Sequence, residues 1–401
     1  MTAPIDRSHL DIDTVAVRGG EPRKHGYDAL TMPIVCTSTY AFEDTHELTE
    51  HLAGRSEREE YGRYGNPTVQ TAERKLAALE AAEAAVLFPS GMNAVTTLLL
   101  AMLKPGDHIV LTSDVYRRTR QFARTVLTRF GIDHSFVAPD DYAAAATALA
   151  RPNTRLFLSE APTNPYLRLP DVARIAALCR EHPRVKIVID ATLATPVNFR
   201  PLEHGAHVVL HSCTKYLGGH NDLLAGALCG DEALISALRE ARGLFGGMPD
   251  PHGAYLLIRG LKTLGVRMRQ HNQSGLAIAR FLEQHPAIER VYYPGLTSHP
   301  DHTVASRQLS GFGGVISFLV AGDLAATSRF IDRCRIATLG ASMCAVETLI
   351  QQPALMSHSE LSTQERAAIG AHDNLVRLSV GLEGVGDLTD DLGQALDSIR
   401  T

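Results

Sequence analysis

Five short apolar runs, each bounded by turn residues, constrain the fold of this chain more than any other feature. They are Ala85-Val-Leu-Phe, His108-Ile-Val-Leu, Arg155-Leu-Phe-Leu, Val185-Lys-Ile-Val-Ile-Asp190 and His207-Val-Val-Leu-His211. Helical patterns such as Val172–His182 lie between several of them. Apolar runs without polar alternation are buried on both faces, and strands that alternate with helices pair in parallel. The chain therefore reads as α/β, with a mostly parallel sheet covered by helices. Ligands in such sheets sit beyond the carboxyl ends of the strands. Those ends carry Glu160, Asp190 and the segment Ser212 to Lys215.

On either side of this unit the texture changes. Residues 1–60 read as an extended N-terminal arm, β-rich at Met32-Pro-Ile-Val-Cys-Thr-Ser-Thr-Tyr40, that needs another surface to lie on. A large domain spans 61–255. From 256 to 401 long helical patterns (Ala254–Leu264, Val266–Gln284) lead into strand-like Gly314–Val320 and Leu375–Val380, and a helix over Asp387–Ile399. That order predicts a smaller α+β domain.

Composition narrows the class. A net charge of −5 without a basic patch excludes a nucleic-acid binder. No apolar run reaches the roughly 18 residues of a membrane span. The first residues lack the basic start and apolar core of a signal peptide. Six cysteines without CxxC pairs argue against a disulfide framework and a structural zinc site, so no metal is expected. A cytoplasmic protein with free thiols is the expectation.

The polar strand ends carry the chemistry. Lys215 follows a buried strand among small polar residues and glycines. Either it snorkels beside a glycine turn, or it is desolvated, its pKa falls, and the neutral amine serves as nucleophile and base. Ser212 and Thr214 offer hydroxyls to a nearby anion. Asp190 needs a partner because an unpaired buried charge is costly. It either caps a helix or meets an arginine, or it keeps a pyridine nitrogen protonated. Ser90-Gly91-Met92 either opens a helix with free amides suited to a phosphate or forms a plain turn. Tyr61 and Arg63, in Tyr61-Gly-Arg-Tyr-Gly-Asn-Pro-Thr68, are able to hold a phosphate too, or belong to an ordinary exposed loop.

These segments jointly resemble the Cys/Met-metabolism family of pyridoxal-phosphate enzymes, which includes cystathionine γ-synthase, cystathionine γ-lyase and methionine γ-lyase. Glu160-Ala-Pro-Thr-Asn-Pro165, Asp190-Ala-Thr-Leu-Ala-Thr-Pro196, Ser212-Cys-Thr-Lys-Tyr-Leu-Gly-Gly-His220, Arg259-Gly-Leu-Lys-Thr-Leu264 and Leu375-Val-Arg-Leu-Ser-Val-Gly-Leu-Glu383 occur in the family's order. The resemblance implies an aspartate-aminotransferase-like (type I) fold and pyridoxal 5'-phosphate held as a Schiff base on Lys215. It implies that Asp190 pairs with the pyridine nitrogen, that Tyr116 stacks on the ring and that Asn164 meets the ring hydroxyl. Gly91, Met92, Ser212 and Thr214 would hold the phosphate, with Thr192 beside the cofactor. Tyr61 and Arg63 would reach it from a neighbouring subunit of a homotetramer. Arg377 and Ser342 would meet a small amino-acid substrate.

Three departures bear on the reaction. The family's Tyr-Gly-Gly-Thr or Tyr-Gly-Cys-Thr is Tyr116-Arg-Arg-Thr119 here, so Arg117 or Arg118 either binds a polar γ-substituent or points to solvent. The family's Ser-Leu-Gly-Gly is Ser342-Met-Cys-Ala345, and two lost glycines predict a different backbone path or a narrower pocket. Cys344 then either fills core or lines that pocket. Cystathionine enzymes carry a glutamate before the serine, where this chain has Ala341. The expectation is γ-elimination from an amino acid other than cystathionine, as in methionine γ-lyase but with a non-standard leaving group. γ-Replacement by the same residues is the alternative. A dinucleotide-dependent oxidoreductase fits the sheet but lacks a G-x-G-x-x-G after an early strand.

Overall fold

The computed structural model describes residues 10–56, 58–356, 363–368 and 372–399. Seven strands form the large sheet: β1 (Ala84–Phe88), β2 (His108–Thr112), β3 (Asp133–Val137), β4 (Thr154–Glu160), β5 (Lys186–Asp190), β6 (Val208–Ser212) and β7 (Gly226–Gly230). Their order is β1-β7-β6-β5-β4-β2-β3. All paired neighbours run parallel except that β7 is antiparallel to both β1 and β6. This is the mostly parallel large sheet that the apolar runs predict. Alternate residues serve opposite faces. Val86, Leu111, Val188 and Leu210 pack with Leu98 and Leu99 of the helix Gly91–Met102. Leu87 and Val209 pack with Leu76 and Leu79 of the helix Pro67–Glu80, and with Leu257 and Leu261.

The register sets what meets at the rim. Glu160 pairs with Asp190, and Asp190 with Leu210, so β4, β5 and β6 end almost level. Through β7, Ser212 pairs with Gly226 and Gly226 with Phe88. A Cβ on Gly226 would stand 2.3 Å from the Ser90 carbonyl oxygen, and one on Gly91 3.0 Å from Ser212 Cβ. Only glycine allows the backbone after β1 to approach this closely.

The second sheet holds β8 (Ile288–Tyr292), β9 (Val315–Val320), β10 (Thr338–Leu339), β11 (Leu349–Gln351) and β12 (Leu375–Ser379), in the order β10-β11-β12-β9-β8. The 21-residue helix Leu264–Gln284 and the helix Val385–Asp397 complete the expected α+β unit. It docks on the loop after β4: Ser317 Oγ donates to the Pro165 carbonyl at 2.7 Å, and Arg168 Nε to Asp301 at 2.6 Å. The N-terminal segment is less extended than expected, with helices at Ile12–Arg18 and Thr45–Leu52. The first of these buries Val15 and Ala16 against the main core. Of the β-rich stretch, only Thr39 forms a bridge, to Tyr61.

Candidate active site

Lys215 lies three residues beyond β6 and is half-buried. Its Nζ donates to Ser342 Oγ at 2.8 Å. Burial lowers its pKa, Cys344 opposes that in part, and the Arg377 charge adds a lesser lowering. A desolvated ammonium loses hydration, so the neutral amine persists to lower pH than in a surface lysine. Ser342 thereby joins the β6 rim to the second sheet. Its carbonyl accepts from Arg377 Nη2 at 2.8 Å, and Arg377 Nη1 donates to Asn164 Oδ1 at 3.2 Å. Arg377 sits mid-strand in β12, only 5% exposed, and burial lowers its pKa to about 10.

Asp190 ends β5. Its Oδ1 accepts both the backbone N–H of Thr192 at 3.0 Å and the Thr192 hydroxyl at 2.5 Å. Thr192 Oγ1 in turn accepts from the backbone N–H of Ser212 at 2.8 Å, so Thr192 locks Asp190 to β6. Burial raises the Asp190 pKa, and the Thr192 bonds and nearby His211 oppose the rise. His211 Nε2 is 2.5 Å from Glu80 Oε1, both groups fully buried. Glu160 stands beside Asp190 and is pushed well above the carboxylate range by burial, then by the Asp190 charge. Its Oε1 accepts the backbone N–H of Tyr116.

Four of the phosphate candidates, Gly91, Met92, Ser212 and Thr214, lie around the same rim. Gly91 and Met92 open the helix Gly91–Met102, whose first turn is capped by Ser90 Oγ accepting from Asn93 N at 3.1 Å. The close approach at Gly91 sets these amides beside Ser212. Thr214 Oγ1 accepts from Ala225 N at 3.1 Å, which fixes the turn next to Lys215. Beside Thr214 and Ser342 a recess of about 580 Å³ opens, with Asp222, Leu223, Ala341 and Leu349 on its wall.

Other predicted residues lie elsewhere. Arg118 is exposed and its Nη1 donates to Gln121 Oε1 at 2.8 Å, along its own helix rather than toward Lys215. Arg63 Nη1 donates to the Gly243 carbonyl at 3.3 Å, and its guanidinium lies 4.8 Å from the Tyr64 ring centroid. Tyr61 is 41% exposed. In the Ser342–Ala345 segment, Ser342 has φ +116° and Cys344 φ +69° without being glycine. Cys344 holds a left-handed conformation that favours glycine, at a local strain of roughly 1–3 kcal/mol for a non-glycine residue. Cys344 is fully buried, packs in the main core, and burial raises its thiol pKa to about 12. Its side chain packs in the core, yet it lies near enough to influence Lys215.

Glu160 and His211 were not singled out as site residues by the sequence. Glu160 carries the same signal as Asp190, a carboxylate closing an apolar strand. His211 carried none beyond its place next to Ser212.

The arrangement fits pyridoxal phosphate. It has a desolvated amine, glycine-opened helix amides for a phosphate, and a fixed carboxylate. Asp190 Oδ2 takes none of the hydrogen bonds found among the described residues, and a protonated ring nitrogen would satisfy it. Among the described residues, no cluster of three or more His, Cys, Asp or Glu could hold a metal ion, and no helix is long and apolar enough to cross a membrane.

Comparison with known proteins agrees. The profile of the Cys/Met metabolism PLP-dependent enzyme family matches residues 13–397. Cystathionine gamma-synthase 1, chloroplastic, of Nicotiana tabacum is 47% identical over 395 residues, covering 98% of this chain and 73% of that protein. L-methionine gamma-lyase of Fusobacterium nucleatum subsp. polymorphum is 40% identical over 397 residues, covering 98% and 100%. The crystal structure of metB from Corynebacterium glutamicum superposes with a TM-score of 0.91 at 37% identity, covering 98% of this chain and all of that one. With its type I fold and its cofactor site, the chain belongs to the Cys/Met-metabolism family of pyridoxal-phosphate-dependent enzymes.

Proposed function

We propose that this enzyme expels the γ-substituent of a small L-amino acid by elimination, releasing a 2-oxo acid and ammonia. The observation that carries this reading is Ala341. The residue before Ser342 puts a methyl group on the wall of the recess, where an acidic residue would hold the distal amine of cystathionine. Arg118, turned along its own helix, adds no cation for an anionic substituent.

Each residue then has a place. Arg377 takes the substrate carboxylate, exchanging its contact with Asn164 for a charge-assisted pair. Pyridoxal phosphate supplies the electron sink for charge leaving the substrate carbons. Lys215 would remove the protons at Cα and then Cβ, with Ser342 Oγ keeping Nζ in reach. Tyr116, at the rim, gives its phenolic proton to the leaving group. Asp190, fixed by Thr192, keeps the ring nitrogen protonated. Ser212, Thr214 and the amides of Gly91 and Met92 hold the phosphate. Arg63 bonds Gly243 and Tyr64 and Tyr61 is 41% exposed, so we assign both to a neighbouring subunit's phosphate site on the family resemblance.

γ-Replacement, in which a thiol takes the place of the departing γ-substituent, is the second reading. Identity favours it: cystathionine gamma-synthase of Nicotiana tabacum is at 47% and the Fusobacterium L-methionine gamma-lyase at 40%. A panel of γ-substituted amino acids, assayed for 2-oxo acid and ammonia with and without cysteine, separates the two. Elimination predicts ammonia release that cysteine does not abolish. Thioether formation without ammonia release would overturn it.

A further inference from the structure

Glu160 has no part in the chemistry above, although it closes β4 level with Asp190 and is only 7% exposed. Burial and the neighbouring Asp190 charge both work against its ionised form. A carboxyl kept in such a place needs a reason. Its Oε1 accepts the backbone N–H of Tyr116, 44 positions earlier in the chain. Tyr116 is the N-cap of the helix Arg117–Thr125, and its own side chain makes no capping bond. The helices Gly91–Met102, Tyr142–Leu149, Val172–Cys179 and Glu232–Phe245 are instead capped by their own Ser90, Asp141, Asp171 and Asp231. The start of the Tyr116 helix is therefore tied to the sheet, one strand away from Asp190.

The surroundings fit that role. Arg120, one turn into the same helix, is the cation that favours the Glu160 carboxylate, and its Nη1 donates to the Ser113 carbonyl at 2.9 Å. Asp190 and Asp114 oppose it. Tyr116 itself is 47% exposed.

We propose that Glu160 is a positioning residue: by accepting the Tyr116 N–H it fixes the backbone from which the phenol ring is set over the cofactor site. The proposal rests on the reading of Tyr116 as the ring-stacking proton donor. What the bond requires is an acceptor at the right reach, not a charge. Glu160→Gln keeps the reach and removes the charge. Glu160→Asp keeps the charge and draws the oxygen back by one methylene.

The test uses the holoenzyme with pyridoxal phosphate as the probe. Its Kd and the visible circular dichroism of the bound cofactor are measured for Glu160→Gln, Glu160→Asp, Tyr116→Ala and the Glu160→Asp/Tyr116→Ala double variant. Tyr116→Ala should weaken binding about 10-fold through lost stacking and reduce the dichroic band. Glu160→Asp should weaken it about 3- to 10-fold with the same change in the band, because a misplaced group loses its contact. Glu160→Gln should match the wild type. In the Tyr116→Ala background Glu160→Asp should add nothing, the mark of residues that act through one another. A wild-type Glu160→Asp, an impaired Glu160→Gln, or full additivity in the double variant would overturn the proposal. A silent Tyr116→Ala would instead remove the reading of Tyr116, and the two failures are thereby told apart.

Discussion

The two walls of the active site are built on different principles. The rim of β5 and β6 is tied together by short, mutually dependent bonds. Thr192 holds Asp190 and is held by Ser212, and Gly91 closes on Ser212 across a gap that admits no side chain. The opposite wall, Gly340–Ala345, is a loop with two non-glycine residues in left-handed conformations. It reaches the rim through the Lys215–Ser342 bond and is held to β12 through Arg377 and Ser379. A rim of this kind suits a cofactor shared by a whole family. A strained loop carries the features that set one member apart. We propose on this contrast that the common chemistry belongs to the rim and substrate choice to the loop.

Substitutions on the rim should do the most damage. Lys215→Ala removes the base, and steady-state assays should show turnover lower by about 10³-fold or more. Asp190→Asn leaves Thr192 a partner but removes the charge facing the ring nitrogen. Cofactor affinity, read by equilibrium dialysis, should fall on the order of 100-fold, as for one partner of a buried charged pair. If either variant behaves like the wild type, the division between the walls fails.

On the loop the expected effects are smaller and concern conformation. Cys344→Val places a β-branched residue at φ +69°, and thermal or denaturant unfolding should show a loss of about 2 kcal/mol or more. Cys344→Gly suits that backbone and should stay within about 1 kcal/mol, since relief of strain offsets lost packing. Ser342→Ala takes the acceptor from Lys215 Nζ and should slow turnover about 3- to 10-fold. The sign of its pH effect is definite. Burial already lowers the Lys215 pKa, and loss of a bond that favours the ammonium lowers it further. Amine modification of the apoenzyme at Lys215 should then set in at still lower pH. Arg118→Ala, finally, should change turnover less than about twofold, as for an exposed side chain paired along its own helix.

The same contrast explains how much was legible in the sequence. Each of the five apolar runs is a strand, because burial on both faces leaves an unbroken hydrophobic signature. β7 was missed: Gly226-Ala-Leu-Cys-Gly230 holds three apolar residues between glycines and reads as a turn. β3 was missed because Asp133-His-Ser-Phe-Val137 is a polar edge strand. Lys215, Asp190 and the Gly91 turn were legible from their places at strand ends. The Ser342 bond to Lys215 was not, since it spans 127 positions and two sheets. Nor could the lost glycines reveal that Cys344 would keep the left-handed path. That outcome depends on burial and on the bond from its N–H to Ser379 Oγ at 2.6 Å. The sequence leaves Arg118 either at the substrate or toward solvent, and in the fold it is exposed and bonds Gln121, since one helical turn decides which way a side chain faces.

The claim that the rim holds the cofactor on Lys215 is tested most directly by borohydride reduction of the holoenzyme, followed by proteolysis and mass mapping. A single pyridoxyl-bearing peptide containing Lys215 is the predicted result. A stable adduct on another lysine, or none on an enzyme that retains its visible absorption, would contradict it.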